Sequence, residues 1–285
     1  MVKYLVITSA SIFPSQHALN STPVMAAMTS ALNHRGIATP VNSCSADAAI
    51  IWSVLWSGRM AANREVYHHY RSQGLPVIIV EVGALQRGHT WRVSVNHVTT
   101  QGYYGHLDSL DWDRPRKLGL QLQTPTVQGH HITVALQHPR SLQVEHIHNW
   151  NQWIHNTVDS IRAHTDRPIV LRPHPRGRVA IPDIAGVTVS HPRQLPGTYD
   201  SFDFDLDCHA VVNINSGPGI QAAIAGVRPI VESSSLAHPV AVGFDQIEQP
   251  YSLDRELWFT QICHTEYTVP ELQQGLWLDR LEAVL

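Results

Sequence analysis

A basic loop in the second half of the chain carries side chains suited to binding phosphate. Residues 171–178 follow an apolar, strand-like run and contain two prolines, which stiffen the backbone that carries Arg172, His174 and Arg176. Cationic donors on a stiff loop at a strand end can hold a diphosphate or a sugar phosphate. We predict phosphate-binding roles for these three side chains, with a solvated basic loop as the alternative.

A second loop combines small residues with the start of a helix. Residues 213–223 indicate a strand, a polar turn and a helix N-terminus. Backbone N–H groups at a helix start, the Ser216 hydroxyl and the helix dipole favour an anion, and Gly217 and Gly219 allow a ligand to approach the backbone. Together with Asn215 they are predicted to bind phosphate. The alternative is an ordinary capped helix with a glycine turn.

A third loop follows the first strand of the second half. Gln137, Arg140 and Ser141 lie there within a short polar stretch. Their side chains are predicted to contact a phosphate or a ribose. An exposed loop without a ligand is the alternative.

A carboxylate at the end of an apolar strand in the first half is the candidate catalytic group. Glu81 follows the run from Val77 to Val80, where a carboxylate can act as a general base toward a hydroxyl group. The alternative is a structural ion pair with Arg87 or Arg92. The residues predicted to line the acceptor side are Arg87, Trp91, Arg92, Asn96 and His97.

No pattern in the sequence predicts a metal or a tightly bound cofactor. Asp203, Asp205 and Asp207 resemble an Asp-x-Asp metal motif, but they precede a strand, which favours a solvated acidic turn. Gly217-Pro218-Gly219 lacks the third glycine of a dinucleotide fingerprint. The nineteen histidines are scattered without the paired spacing of a zinc site.

Alternating strand-length and helix-length apolar patterns place these loops on a doubly wound α/β fold. Ligands bind at the carboxyl ends of such strands, where the four loops lie. The predicted strands are residues 4–8, 48–52, 77–80, 132–136, 168–171, 187–189, 210–213 and 228–231. The predicted helices are residues 23–35, 63–73, 144–164 and 219–225.

The length of 285 residues favours two domains. We expect two Rossmann-like domains that face a cleft, residues 1–124 for the acceptor and residues 125–285 for a nucleotide. The aperiodic stretch 118–131 is the predicted linker. Residues 254–285, rich in large apolar side chains, are predicted to pack as helices across the junction.

The composition excludes several classes of protein. A net charge of −3 is inconsistent with a strongly basic nucleic-acid scaffold, and three widely spaced cysteines do not indicate a disulfide framework. The apolar run at the N-terminus is too short to span a membrane and lacks a signal-peptide pattern. We therefore expect a cytoplasmic protein without membrane partners, monomeric or weakly dimeric.

Three motifs resemble those of a known enzyme class. His174-Pro175 after a strand, Asn215-Ser216-Gly217 before a helix and residues 226–230 are similar to GT-B glycosyltransferases of the capsule-polysaccharide and sialyltransferase kind. The resemblance implies that the His-Pro motif and the serine turn hold the phosphate of a nucleotide sugar, such as UDP-glucose. It also implies a first-domain acid as base, for which Glu81 is the nearest analogue, and no required cofactor.

Weaker similarity extends to glycosyltransferases of bacteriophages. Residues 81–87, Trp91-Arg92 and residues 113–119 resemble enzymes that decorate hydroxymethylated pyrimidines in DNA. The loop at Gln137 departs from the Gly-Gln-x-x-Gly-Asp-like pattern of those relatives, because its acidic member is missing. The acceptor implied is 5-hydroxymethylcytosine in double-stranded phage DNA.

Other functions remain open on the sequence alone. They are a capsule or other polysaccharide glycosyltransferase, a nucleotide-sugar epimerase on the same fold, and a binding module without turnover. A DNA-facing groove would draw on basic residues assigned to the first domain. These are Arg59, Arg64, Arg71, Arg87, Arg92, Arg114, Arg116 and Lys117.

Overall fold

The chain forms two compact units, each built around its own five-stranded sheet. The computed structural model describes residues 7–14, 21–106, 109–125, 129–198 and 201–284. One unit comprises Met1–Trp112 with Gln261–Leu285, and the other comprises Asp113–Thr260. Among the described residues, no helix combines the length and the apolar character needed to cross a membrane.

The sheet of the first unit is mixed. Strands β1 (Ala10–Phe13), β2 (Ala48–Trp52) and β3 (Val77–Val82) run parallel. Strand β4 (Trp91–Val95) returns antiparallel to β3, and the short β10 (Glu266–Tyr267) completes the order β1-β2-β3-β4-β10. Strands β1, β2 and β4 are buried throughout, and β2 is apolar at every position, as expected of a strand buried on both faces.

Two helices connect the parallel strands of this unit. Helix α1 (Ser21–His34) buries Val24, Met28 and Leu32, whose spacing of four residues puts them on one face. Helix α2 (Asn63–Ser72) is followed by Gly74, which adopts φ +72°. A left-handed residue just beyond a helix is a position that glycine occupies without strain.

The C-terminal segment belongs to the core of the first unit. Helix α6 (Glu256–Cys263) leads to β10, α7 (Val269–Gln274) and α8 (Leu276–Leu281). Leu272, Trp277 and Leu281 are fully buried in the cluster formed by the first sheet and α1. The predicted boundary between residues 124 and 125 assigned this C-terminal segment to the second domain. In the structure the segment belongs to the first unit, because its large apolar side chains fill the core of that unit.

The sheet of the second unit is entirely parallel. Its strands are β5 (Ile132–Ala135), β6 (Ile169–Arg172), β7 (Val187–Val189), β8 (Ala210–Asn213) and β9 (Arg228–Val231). They pair in the order β7-β6-β5-β8-β9. After β5 the chain adds β6 and then β7 on one side of β5. It then crosses to the other side of β5, where it forms β8 and then β9. The topological switch point, where open parallel sheets bind ligands, therefore lies between β5 and β8.

Among the described residues, three α-helices lie wholly within the second unit. They are α3 (Arg114–Lys117), α4 (Trp150–Arg162) and α5 (Gly217–Ala225). Helix α4 is shorter than the predicted residues 144–164, because Asn149 caps it by accepting a hydrogen bond from the Gln152 N–H. Residues 142–144 form a separate 3-10 turn.

Most predicted strands are confirmed within two residues, from β2 and β3 through β5 to β9. The predicted strand at residues 4–8 lies mostly outside the described residues, and the first described strand is β1 at Ala10–Phe13. Strand β4 was not predicted. Trp91 and Arg92 are predicted to line the acceptor side, whereas they lie in this strand, all of whose residues are buried.

Candidate functional site

The loops that follow β5 and β8 are joined by a buried amide pair at the switch point. Gln137 donates through Nε2 to Asn215 Oδ1 over 2.8 Å, and its Oε1 accepts from the Asn215 backbone N–H over 2.9 Å. Both side chains are almost completely buried. Because the two amides satisfy each other's hydrogen bonds, they fix the distance between the two loops. The loops lie at the sheet edge where open parallel sheets bind their ligands.

Asn215 extends this network to two further segments. Its Nδ2 donates to the Gln143 carbonyl and to Ser234 Oγ, each over 2.9 Å. Ser234 lies beyond β9, so the loops after β5, β8 and β9 share one hydrogen-bonded centre. Ser141 caps the adjacent 3-10 turn, since its side chain accepts from the Gln143 N–H.

The turn before α5 brings a helix N-terminus to the same edge. Ser216 is the residue before the helix, and its Oγ accepts from Asn213 Nδ2 over 3.1 Å. A Cβ atom at Gly219 would lie 2.7 Å from Asn213 Oδ1 and 2.8 Å from Val231 Cγ1. Glycine is therefore required at position 219 for packing, while half-buried Gly217 is the first residue of the helix.

Two histidines from neighbouring strand ends contact each other on this edge. The rings of His138, after β5, and His174, after β6, have centroids 5.3 Å apart at an angle of 85°. Arg140 and Arg176, two residues further on in each loop, are exposed. Burial lowers the pKa of His138, and the charge of Arg140 acts in the same direction, while a hydrogen bond to the Arg176 backbone opposes both. His138 is therefore mainly neutral near pH 7.

Arg172 supports its loop from inside. Its Nη2 lies 2.8 Å from Asp203 Oδ1, its Nη1 donates to Ser190 Oγ, and its guanidinium lies over the Phe204 ring. The arginine is buried, so its charge is compensated within the protein. The predicted contact of Arg172 with a donor phosphate does not fit this arrangement, and we assign the residue to support of the loop.

The acidic segment 203–207 has two different parts. Asp203 is half-buried and accepts from Arg172 and from the Arg193 backbone and side chain, which corrects its description as a solvated turn. The backbone hydrogen bond from Arg193, together with the two arginines, lowers the pKa of Asp203 to about 2. Asp205 and Asp207 are exposed. Within the described ranges, no cluster of three metal-ligating side chains forms.

Replacing Asp203 with Asn should destabilise the second unit in a pH-dependent way. The folded-state pKa lies below the ordinary value of 3.8, so the stabilisation is complete above 3.8 and is lost as the pH falls toward about 2. We expect D203N to lower the free energy of unfolding by about 1 kcal/mol at pH 7, allowing for partial exposure, and by less at pH 3. Urea denaturation at both values measures this difference. An equal effect at pH 7 and pH 3 would contradict the ionic origin.

Replacing Gln137 with Leu tests the amide pair. The substitution leaves the Asn215 N–H and Oδ1 without their buried partner, which should cost about 1–3 kcal/mol of unfolding free energy. Chemical denaturation of Q137L beside Q152L, a change at an exposed glutamine of α4, measures the cost. A similar small loss in both variants would show that the pair contributes little.

Glu81 lies at the carboxyl edge of the first sheet and is held by three donors. Ser53 Oγ donates to its Oε2 over 2.8 Å, with the Val54 N–H at 3.4 Å, and the Val82 N–H donates to Oε1. Ser53 directly follows β2 and has φ +65°, a strained conformation for a residue with a side chain. Burial raises the pKa of Glu81 above its ordinary value of 4.5, although these hydrogen bonds oppose the shift.

The ion pair considered for Glu81 is made by a different acid. Arg92 donates to Glu266 over 3.0 Å, with both side chains buried. Glu266 also accepts from the N–H groups of Ala84 and Leu85 and from Thr90 Oγ1. Arg92 is therefore a structural residue of the first sheet, and its predicted contact with an acceptor does not fit this burial.

The other predicted acceptor residues do not form one cluster. Trp91 is buried in the first core, and exposed Arg87 lies in the loop between β3 and β4. Asn96 follows β4 and accepts from the Val77 N–H at the opposite end of β3 from Glu81, with His97 next to it. They lie there because β4 runs back along the sheet.

Two functional candidates, Ser53 and His138, and one structural partner, Glu266, were missed in the sequence. Ser53 and Glu266 lie in segments without a recognisable motif, and their partners are distant in the chain. His138 did carry a signal. It precedes a proline at the end of a strand, as His174 does.

Comparison with known proteins supports the fold. No protein-family model and no curated protein matches the chain. The structure is similar to the KpsC beta Kdo 2,4 transferase of Thermosulfurimonas dismutans, with a TM-score of 0.52 and 12% identity, over 95% of this chain and 98% of that chain. The KpsC beta Kdo 2,7 transferase of the same organism aligns over 95% and 99%, with 13% identity and a TM-score of 0.48.

The first of these neighbours is a beta Kdo 2,4 transferase, and at 12% identity the likeness concerns the fold. The two parallel-rich sheets agree with the predicted fold class. The chain has a two-domain, Rossmann-like, GT-B glycosyltransferase fold.

Proposed function

We propose that the chain is a glycosyltransferase whose second unit binds a nucleotide sugar at the switch point between β5 and β8. The observation that carries this proposal is the buried pair of Gln137 and Asn215, which fixes two strand-end loops beside the N-terminus of α5. Such an edge binds the phosphates of a nucleotide in open parallel sheets. The glycosyltransferase-like fold supports this use of the edge.

The proposed reaction uses a base on the acceptor side and a set of donors on the phosphate side. Glu81 takes the proton of an acceptor hydroxyl, the hydroxyl oxygen bonds to the anomeric carbon, and the bond to the donor phosphate breaks with its electron pair on the phosphate. The N–H groups at the start of α5, with His174 and Arg176, stabilise the charge on the leaving phosphate. A carboxylate with a raised pKa is a stronger base than an ordinary one, which suits Glu81 to this role.

For the acceptor we propose a saccharide. The KpsC neighbour is a sugar transferase, which supports a capsule-type acceptor more than a nucleic acid. Two of the arginines considered for a DNA groove have other contacts: Arg92 is buried with Glu266, and Arg116 pairs with Asp113 in the second unit. Transfer to 5-hydroxymethylcytosine in phage DNA has no such support and stays a prediction.

The cytoplasmic location, the absence of membrane partners and the monomeric or weakly dimeric state stay predictions as well.

Mass spectrometry of reaction products tests the proposal. The purified chain is incubated with UDP-, GDP- and CMP-sugars in three arms: with saccharide acceptors, with DNA containing 5-hydroxymethylcytosine, and without acceptor. We expect a sugar mass on a saccharide only, and loss of that product in E81Q. A sugar mass on the modified base would favour the DNA enzyme, and an isomerised donor without acceptor would favour an epimerase. No change of any donor would contradict the transferase.

A further inference from the structure

The sequence His-Pro-Arg occurs at the ends of two adjacent parallel strands. One copy is His138-Pro139-Arg140 after β5, and the other is His174-Pro175-Arg176 after β6. Strands β5 and β6 are hydrogen-bonded neighbours, with Ala135 opposite Arg172. The two copies therefore begin at equivalent levels of the same sheet edge.

The two copies adopt the same local structure. The Arg140 N–H donates to Nδ1 of His138 over 3.1 Å, and the Arg176 N–H donates to Nδ1 of His174 over 3.1 Å. An imidazole nitrogen that accepts a hydrogen bond carries no proton, so each neutral ring has its proton on Nε2. Each histidine thus fixes the backbone of its own arginine in a tight turn.

The two turns also pack against each other. Besides the contact between the histidine rings, a Cβ atom at Gly177 would lie 3.1 Å from His174 Cβ and 3.2 Å from Pro139 Cδ. Glycine at this position lets the second turn approach the proline of the first. The Arg176 guanidinium lies near the Phe202 ring, which limits the directions it can take, and the Arg140 side chain is exposed.

We propose that the turns at residues 138–140 and 174–176 form one oxyanion site, in which Arg140 and Arg176 together bind a single phosphoryl group. His138 is a positioning residue for Arg140, as His174 is for Arg176. Two guanidinium groups on rigid turns suit a phosphate, because each offers paired N–H donors. The identification of this group as the phosphate of the nucleotide donor rests on the proposed function; the anion site itself does not.

Calorimetric titration of the full chain with inorganic pyrophosphate tests the site. We expect one pyrophosphate per chain, and an affinity about tenfold lower in R140Q and in R176Q, since each removes a charged donor to the same group. The matched control is R178Q, an exposed arginine of the same loop outside the repeated motif, which should stay close to the wild type. Absence of saturable binding, or equal losses in all three variants, would overturn the site. So would an unchanged affinity in R140Q.

Two substitutions at His138 separate positioning from packing. The Asn side chain of H138N can accept from the N–H two residues on, as Nδ1 does now, whereas H138F keeps an aromatic ring without an acceptor. We expect H138N to bind pyrophosphate almost as the wild type does and H138F to bind about as weakly as R140Q. If H138N and H138F bind pyrophosphate with the same affinity, and both unfold at the same temperature as the wild type, the positioning role of His138 is excluded.

The outcomes also separate this site from the proposed function. A chain that binds pyrophosphate through both turns but transfers no sugar would refute the transferase and leave the anion site intact. A chain that transfers sugar with an unchanged donor KM in R140Q would refute the identification of the bound anion as the donor phosphate and leave the transferase intact.

Discussion

Replacing Glu266 with Ala is expected to lower the free energy of unfolding of the first unit by about 3–5 kcal/mol, because it leaves the buried Arg92 charge without its partner. The carboxylate has no exposed surface and accepts four hydrogen bonds, from Arg92, Thr90 and the N–H groups of Ala84 and Leu85. The loss of an acceptor for these N–H groups adds to the cost.

Urea denaturation followed by hydrogen exchange of residues 77–95 measures the effect within the first unit. The control is E65A, which removes an exposed glutamate of α2 and should change the unfolding free energy by less than about 0.5 kcal/mol. A loss in E266A no larger than in E65A would mean that the carboxylate does not hold the loop between β3 and β4.

Replacing Glu81 with Gln is expected to lower kcat by about 10²–10⁴-fold while it stabilises the fold at neutral and higher pH. Glutamine cannot accept the proton of an acceptor hydroxyl, so transfer loses its base. The folded-state pKa of Glu81 is raised, so the folded chain holds its proton to higher pH than the unfolded chain does. Stability contributed by this group is therefore lost as the pH rises above the ordinary value of 4.5.

Rates and melting temperatures over a range of pH test both parts of this prediction. The kcat of the wild type should rise with pH through the raised pKa, and the melting temperature of E81Q should exceed that of the wild type at pH 8 but not at pH 4. The control is S53A, which keeps the carboxylate but removes one donor to it, and should raise the pKa of Glu81 further. Full activity in E81Q would exclude Glu81 as the base.

The sequence contained enough information for most of the parallel strands. The run from Val77 to Val80 is entirely apolar, and that from Ile132 to Leu136 is apolar except for Thr133, because both faces of a strand inside the sheet are buried. The glycine that follows α2 marked its end through a backbone conformation that other residues rarely adopt.

Pairings between distant residues could not be predicted in the same way. Gln137 and Asn215 were each expected to bind a ligand, but they bind each other across 78 positions of the chain. Arg92 was expected to bind an acceptor because an arginine near a strand end resembles a functional charge, whereas its partner Glu266 lies 174 positions away. A side chain's type predicts what it can bind, and the fold decides which partner reaches it.

Hydrogen-exchange mass spectrometry of the full chain with saturating nucleotide tests the central claim most directly, because it locates the donor site. With the best-bound member of a panel of UDP, GDP and CMP, we expect slower exchange in peptides covering residues 136–144 and 213–220, which include the loops after β5 and β8. The same nucleotide should give little protection in Q137L. Protection confined to other segments, or none with any of the three nucleotides, would contradict a nucleotide site at the switch point.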